Sequence, residues 1–375
     1  MSHKKRVAVI FGGQSSEHEV SRISAESVIK NINRDKYEVA MIGITKDGRW
    51  MSYDGPVEKL GTGEWQAIAE KKALTGAQEN SNEIVPSGAN ARSILAYSGA
   101  ESEKGKIDVI FPVLHGCNGE DGTIQGLFEL AGVPYVGAGV LGSALGMDKA
   151  YAKIIFEKEG LPQGKYLVFG RKQLSRETEA VLDQVEAVLE YPCFVKPSNA
   201  GSSVGVSKAH DRKELLAALE LAAKHDRRIL VEEFINGREI ECAVLGNDDP
   251  IASTVGEVIP CNEFYDYKAK YFDDRSKTVI PADLPANTIS EIRAYAVRAF
   301  KSLDCSGLSR VDFFVHKETG AVYINEINTL PGFTSISMYP KLWEASGIPY
   351  GELIERLIDL AVERYEDSER FFDEK

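Results

Sequence analysis

The chain has no apolar run approaching the about 18 residues that a membrane-spanning helix needs. Its first apolar stretch, in MSHKKRVAVIFGG, is too short for a secretory signal and stops at a glycine turn. It therefore reads as soluble and cytoplasmic, with no membrane partner. Cysteine is scarce: five residues, at 117, 193, 242, 261 and 305, with no C-x-x-C pair. An odd, scattered set excludes a disulfide framework and fits reduced thiols, several of them buried and inert in apolar strands. Basic charge is short as well. Lys plus Arg number 44 against 57 Asp plus Glu, a net charge of −13. That excludes a general nucleic-acid binder, which needs a basic footprint. It does not exclude ATP, whose site needs only a few local cations. There is no G-x-x-x-x-G-K-[ST] phosphate loop, no G-x-S-x-G and no Cys/His pair at a telling spacing, so neither a P-loop nor covalent catalysis is indicated. No internal repeat is present.

What is there is enough for two or three domains: 375 residues, 43% hydrophobic and 27% charged. Lys5–Phe11 reads as a buried parallel strand, followed by Gly12-Gly13 and a helix from about Glu17 to Ile32. Tyr37–Ile44 and Ile107–Leu114 are the next strands, and this β-α-β rhythm predicts a doubly wound α/β layer. Residues 60–105 lack periodicity and read as an insertion with a short helix near Gly63–Ala73. A second unit opens at Lys149, with helices over Ala150–Glu159, Glu177–Leu189 and Lys213–His225. Its strands are Tyr166–Phe169, Tyr191–Lys196, Val204–Lys208 and Arg228–Phe234. A third holds Arg238–Leu245, the aromatic segment Phe264–Tyr271, a helix at Ser290–Leu303, an acidic hairpin and a helix at Gly351–Tyr365.

That hairpin, within Ser309–Tyr339, is the most informative stretch. If Lys317–Ala321 closes it, Asp312 lies opposite Glu326 and Arg310 opposite Asn328. Two carboxylates, one amide and one guanidinium then share a surface, with Val311, Phe313, Val322 and Ile324 as core. Hard oxygen ligands of this kind suit Mg²⁺. Solvated charges on a surface hairpin are the other reading of the same residues. A Pro/Gly/Ser/Thr loop, Thr329–Ser337, follows at once.

Lys196-Pro-Ser-Asn-Ala-Gly-Ser-Ser-Val-Gly205 reads either as an ordinary turn or as an anion cradle. In the second case its glycines let backbone N–H groups close in, Ser202 and Ser203 add hydroxyls, and Lys196 adds a cation. Lys149 and the acids of Arg228–Ile235 read alone as solvent-facing. Glu17, after the first strand, and His115, after the third, sit at carboxyl ends of strands, where α/β ligands gather. Glu17 fits a helix cap equally well, and a lone His is more often structural.

Taken together, F-G-G-Q-S-S-E-H-E-V-S, L-H-G-C-N-G-E-D-G-T-I-Q-G, M-D-K, V-K-P-S-N-A-G-S-S-V-G, F-Y-D-Y-K-A-K-Y, S-R-V-D and N-E-I-N-T-L-P-G-F-T-S resemble the D-alanine–D-alanine ligases of the ATP-grasp superfamily, in order, from about residue 5 to 365. The resemblance implies a three-domain ATP-grasp ligase: an N-terminal Rossmann-like domain (1–148), a central domain (149–232) and a C-terminal domain (233–375). It implies ATP, two Mg²⁺ (or Mn²⁺), D-alanine as substrate and a homodimer. It places Asp312, Glu326 and Asn328 on the metals, and Lys149, Lys196, Ser203, Val204 and Lys270 at the phosphates. Glu232, Glu233, Ile235 and Glu239 would surround adenine and ribose. Glu17 would take the first D-alanine's ammonium, beside His115, and Ser337 the second one's carboxylate. Arg310 and the Gly332 backbone would stabilise the tetrahedral intermediate, and Glu17, Ser202 and Tyr271 would close a lid. Ile336 departs from the histidine many members carry beside the serine. Two alternatives remain open: a D-serine or D-lactate ligase of the same fold, and a nucleotide-binding regulator without turnover. The F-Y-D-Y-K-A-K-Y block favours D-alanine over D-lactate.

Overall fold

In the computed structural model, which describes residues 4–76, 106–259 and 277–368, the chain builds three sheets. The first is nearly all parallel. Strand β1 (Lys5–Gly12) runs between β2 (Tyr37–Ile44) and β4 (Val109–Val113), with the antiparallel edge strand β3 (Trp50–Tyr53) outside β2. Val7 to Phe11 are wholly buried because helices cover both faces, as the continuous apolar run predicts. Helix α1 (His18–Asn31) follows β1. The short helix expected near 63–73 appears as α2 (Glu58–Thr62) and α3 (Trp65–Gly76); the rest of that insertion lies outside the described residues. Trp65 packs against Gly43 of β2 so closely that a Cβ there would sit 2.2 Å from its ring. Edge strand β3 and the helices α4 (Thr123–Ala131) and α5 (Val140–Met147) were not foreseen from the pattern.

Helix α6 (Lys149–Lys158) leads into the second sheet, an antiparallel set ordered β5 (Tyr166–Gly170), β8 (Arg228–Glu233), β6 (Cys193–Pro197) and β7 (Ser207–Ala209). It packs against α8 (Thr178–Val188) and α9 (Arg212–His225) through Val181, Leu182, Leu215 and Leu219. A short helix α7 (Arg171–Arg176) precedes α8.

The third sheet is also antiparallel: β11 (Lys277–Val279), β10 (Ile251–Ile259), β9 (Gly237–Gly246), β12 (Gly307–His316) and β13 (Val322–Asn328). Helix α10 (Ala286–Ser302) covers one face through Ile292, Ala296 and Phe300. Ala152 and Phe156 of α6 join this same core, so the helix opening at Lys149 packs on the third sheet. Helices α11 (Met338–Ala345) and α12 (Tyr350–Asp367) complete the unit. Strand β10 and helix α11 were not foreseen; α11 tolerates Pro340 because it lies in the first turn, where no intrahelical N–H bond is lost. Tyr339, Trp343, Leu353 and Ile354 share a core with Val7, Val9 and Phe111, which fixes the first sheet against the third unit. Of the cysteines, Cys193, Cys242 and Cys305 are buried and Cys117 is exposed; burial pushes the Cys193 and Cys242 thiols up to about 11 and about 12.

Candidate active site

The hairpin register is the one expected: Arg310 pairs with Asn328 and Asp312 with Glu326. Simple alternation would nevertheless have put Glu326 on the same face as Ile324, in the core. Beyond Asp312 the register shifts, with Phe313 opposite Ile324, so Asn325 is one extra residue. This bulge keeps Ile324 and Ile327 buried while Glu326 and Asn328 face a cavity.

The cavity holds about 410 Å³ between the second and third sheets. On its floor Arg310, 6% exposed, grips Asp312 with two parallel bonds, Nε to Oδ1 at 2.7 Å and Nη2 to Oδ2 at 2.6 Å. Asn328 Nδ2 donates to the same Oδ2 at 3.0 Å. Glu241, opposite Asp312 on β9, brings Oε2 to 3.0 Å from Arg310 Nε. Burial opposes the arginine's charge, but Asp312 and Glu241 outweigh it and raise its pKa.

The Lys196–Gly205 segment forms the opposite wall. Ser202 and Ser203 both adopt left-handed backbone, φ 50° and 58°, a conformation rare outside glycine. Both serines line the cavity. Below the loop, buried Ser198 donates to Asp148 Oδ1 at 2.5 Å and accepts from Ala150 N at 3.1 Å. Asp148, also paired with Arg228, caps α6, so loop and helix start are one unit. Lys149 Nζ then reaches Ala200 O at 2.9 Å and lies 3.4 Å from Glu326 Oε2.

Lys196 turns to Glu232, at 2.6 Å from Oε2, and Lys153 takes Oε1 at 2.6 Å. Burial works against the charge of Glu232, but the two lysines outweigh it and hold its carboxyl at about 2. Lys196 is raised in turn: burial lowers it, and Glu232 with Glu326 more than compensates. Glu233, Ile235 and Glu239 also border the cavity, beside Phe194 and Phe234.

Glu17, at the start of α1 beside the first sheet, touches the cavity wall without lining the cavity. Its Oε1 accepts from Ser202 Oγ, which joins two of the expected lid residues. The third, Tyr271, and the expected phosphate contact Lys270 lie outside the described residues. His115 is buried, with Nδ1 3.2 Å from Leu330 O and 3.5 Å from Glu120 Oε1, and Nε2 3.3 Å from Ser24 Oγ. Burial would lower its pKa; Glu120 and Glu17 reverse the direction and raise it. Glu120 lines the cavity, and burial, reinforced by Glu17, raises its own pKa against His115.

Not every expected residue reaches this cavity. Glu17, His115, Val204, Gly332 and Ser337 do not line it. Ser337 Oγ instead closes its own loop, accepting from Thr334 N at 3.0 Å and lying 2.8 Å from Thr334 Oγ1. Gly332 is packed under it: a Cβ there would come within 3.2 Å of Ser337 Oγ. Ile336 is 74% exposed.

Sequence reasoning missed Lys153, Glu241, Glu120 and Asn325. The first two carried a signal: Lys153 is four residues after Lys149 on one helix face, and Glu241 two after Glu239 on one strand face. Asn325 had none, because a bulge leaves no mark in an alternating string.

Among the described residues no three His, Cys, Asp or Glu side chains cluster as a metal site. Asp312, Glu326 and Asn328 fit a hard divalent cation in another way. They are oxygen donors on paired strands, and the Asn328 amide spends its nitrogen on Asp312 and keeps its oxygen for a cation. Both carboxylates already draw protein cations, Arg310 and Lys149.

Comparison with known proteins gives one consistent neighbourhood. Residues 6–138 match the family model described as D-ala D-ala ligase N-terminus, and residues 155–359 the D-ala D-ala ligase C-terminus. A D-alanine–D-alanine ligase of Ruminiclostridium cellulolyticum is 71% identical over 369 residues, 98% of each chain. One of Acetivibrio thermocellus is 67% identical over the whole of both chains. Among solved structures, the VanG D-Ala:D-Ser ligase from Enterococcus faecalis superposes with a TM-score of 0.83 at 42% identity, covering 96% of this chain and 100% of that one. The D-alanine–D-alanine ligase from Coxiella burnetii gives 0.82 at 35%, covering 98% and 96%.

Proposed function

The chain belongs to the D-alanine–D-alanine ligase family, and we propose that it joins two D-alanines, using ATP, through an acyl phosphate, with release of ADP and phosphate, for peptidoglycan synthesis. The observation that carries this reading is one cavity bordered by Lys149, Lys196, the paired serines and the Arg310–Asp312–Glu326–Asn328 surface. Phosphoryl transfer needs this inventory: cations and donors for phosphate oxygens, and hard ligands for a divalent ion.

Charge sets the order of events. A carboxylate resists attack by an amine, so it must first become an acyl phosphate. Lys149, Lys196 and the backbone of the Ser202–Ser203 turn bind and orient the phosphates. Asp312, Glu326 and Asn328 would hold two Mg²⁺, or Mn²⁺, which supply positive charge beside the transferring phosphoryl group. Glu232, Glu233, Ile235 and Glu239, which border the cavity with Phe194, would surround the adenine and ribose. Glu17, beside His115, would receive the ammonium of the first D-alanine, and Ser337, which here bonds Thr334, would have to turn from that loop to take the carboxylate of the second. Arg310 and the Gly332 N–H meet the oxyanion that develops as the second amine attacks. Lys270 and Tyr271 would close the site against water, Tyr271 by joining Ser202 and Glu17.

We assign 1–148, 149–232 and 233–375 as the three domains; the chain passes between sheets at the Glu233–Gly237 turn, which supports the last boundary. No helix among the described residues is long and apolar enough to cross a membrane. Free cysteines and the use of ATP support a cytoplasmic enzyme. Leu130 and Leu141, exposed on α4 and α5, support a homodimer, which sedimentation tests.

The decisive assay incubates the purified chain with ATP, Mg²⁺ and D-alanine and measures phosphate and dipeptide together. Equal amounts of both are expected. ATP binding without either product would point to a regulator. The D-Ala:D-Ser neighbour motivates a competition arm with D-serine, in which preferential D-alanyl-D-serine formation would shift the reading to that substrate.

A further inference from the structure

Glu232 is gripped from two sides, and the two lysines that grip it differ. Lys153 comes from the middle of α6 and is 3% exposed, its ammonium also 5.5 Å from the Tyr166 ring centroid. Lys196 comes from the end of β6, where the paired-serine loop begins, and Asn325 Oδ1 lies 3.4 Å from its Nζ. Lys196 also feels Glu326 and Glu239 across the cavity. Both lysines border the cavity, but Lys153 is the more enclosed, and Lys196 stands where the phosphate-binding wall begins.

We propose that Lys153 is a positioning residue: the permanent counter-ion of Glu232, which leaves Lys196 free to turn from that carboxylate to a nucleotide phosphate. The proposal rests on the ATP reading above. A buried carboxylate cannot be left bare without a large desolvation cost. If Lys196 were its one partner, each nucleotide that drew Lys196 away would expose Glu232 to that cost, and binding would weaken. With Lys153 held at 2.6 Å on the other oxygen, Glu232 keeps a complete ion pair while Lys196 moves. The site therefore holds a lysine in reserve, docked on a carboxylate that does not need it.

The test is binding by calorimetry on the full chain, with ATP and with adenosine, in Lys153→Met and Lys153→Arg. In Lys153→Met, Lys196 still holds Glu232 in place, so adenosine affinity should stay within about twofold. ATP affinity should fall about tenfold or more, the scale of stranding one buried charged partner. Lys153→Arg, which keeps a cation on Glu232, should recover most of it. In turnover, the KM for ATP should rise while the KM for D-alanine holds. Parallel loss of adenosine and ATP affinity would make Lys153 a packing residue and overturn the proposal, as would unchanged ATP affinity. If Lys153→Met does not fold, Lys153→Gln, uncharged but still able to donate, gives the same contrast. Wild-type phosphate release with D-alanine reads the family function separately: its absence would sink that reading without touching the binding contrast.

Discussion

Glu241 and Arg310 are tied across neighbouring strands, Oε2 to Nε at 3.0 Å, while the same guanidinium holds Asp312 bidentately. A divalent ion drawn to Asp312 competes with that second grip. Glu241, which is not among the proposed metal ligands, would then keep the guanidinium aimed at the reacting centre. Arg310→Lys retains charge but loses the planar fork, so kcat should fall on the order of 10²-fold. Glu241→Gln keeps the shape and loses the charge; a smaller fall, about tenfold, is expected from losing one ion pair to the guanidinium. Steady-state kinetics with ATP titrated separately checks both. A collapse of ATP affinity in either variant would make Arg310 a nucleotide ligand instead.

Glu326→Gln should leave the fold intact and raise the Mg²⁺ concentration needed for half-maximal turnover by at least about tenfold, because one anionic ligand is lost. The measurement is a Mg²⁺ titration of phosphate release beside a thermal melt. Near-normal turnover at low Mg²⁺ would remove Glu326 from the metal site.

The hairpin, its register from Arg310 to Asp312 and the loop from Lys196 were legible in the sequence because each depends on neighbours in the chain. Alternation fixes the faces of a strand, and glycine and serine runs mark a turn. What was not legible depends on distant partners. Lys153 and Glu232 lie 79 positions apart and meet only when α6 packs on the third sheet and faces β8. Edge strand β3 and helix α11 are short, so few residues carry their period, and α11 hides behind Pro340. The Asn325 bulge was invisible for a different reason: the sequence read as strict alternation, and the core decided which residue to leave out.

Acid should loosen the second sheet at Glu232. Burial alone would raise its carboxyl, but Lys153 and Lys196 hold it at about 2, below the ordinary 4.5. A carboxyl more acidic folded than unfolded stabilises the fold above its unfolded pKa. That contribution, on the order of 3 kcal/mol, is lost as pH falls from about 4.5 towards 2. Glu232→Gln should be less stable at pH 7 and should lack this part of the acid limb. Urea unfolding from pH 7 to 2.5 reads it; identical pH slopes in both proteins would show that the ion triad does not control acid stability.

Ser202 combines a strained backbone with a bond that spans the molecule, which allows its two contributions to be separated. Its φ of 50° suits glycine better than serine. Its hydroxyl donates to Glu17, 185 positions earlier, and so links the second sheet's loop to the first sheet. Ser202→Ala keeps the strain and removes the bond. Glu17 then loses one restraint, and the KM for D-alanine at the first site should rise severalfold, the scale of one hydrogen bond of about 0.5–1.5 kcal/mol. More phosphate should also be released per dipeptide, since a looser Glu17 leaves the acyl phosphate open to water. Ser202→Gly removes both bond and strain. It should match Ser202→Ala in KM and in the phosphate-to-dipeptide ratio, yet melt at a higher temperature than the alanine variant. If both variants keep the wild-type ratio, the Ser202–Glu17 contact plays no part in sealing the site. If glycine melts below alanine, the left-handed turn costs the serine nothing, and the loop is held by its anchor at Ser198 rather than by its own conformation.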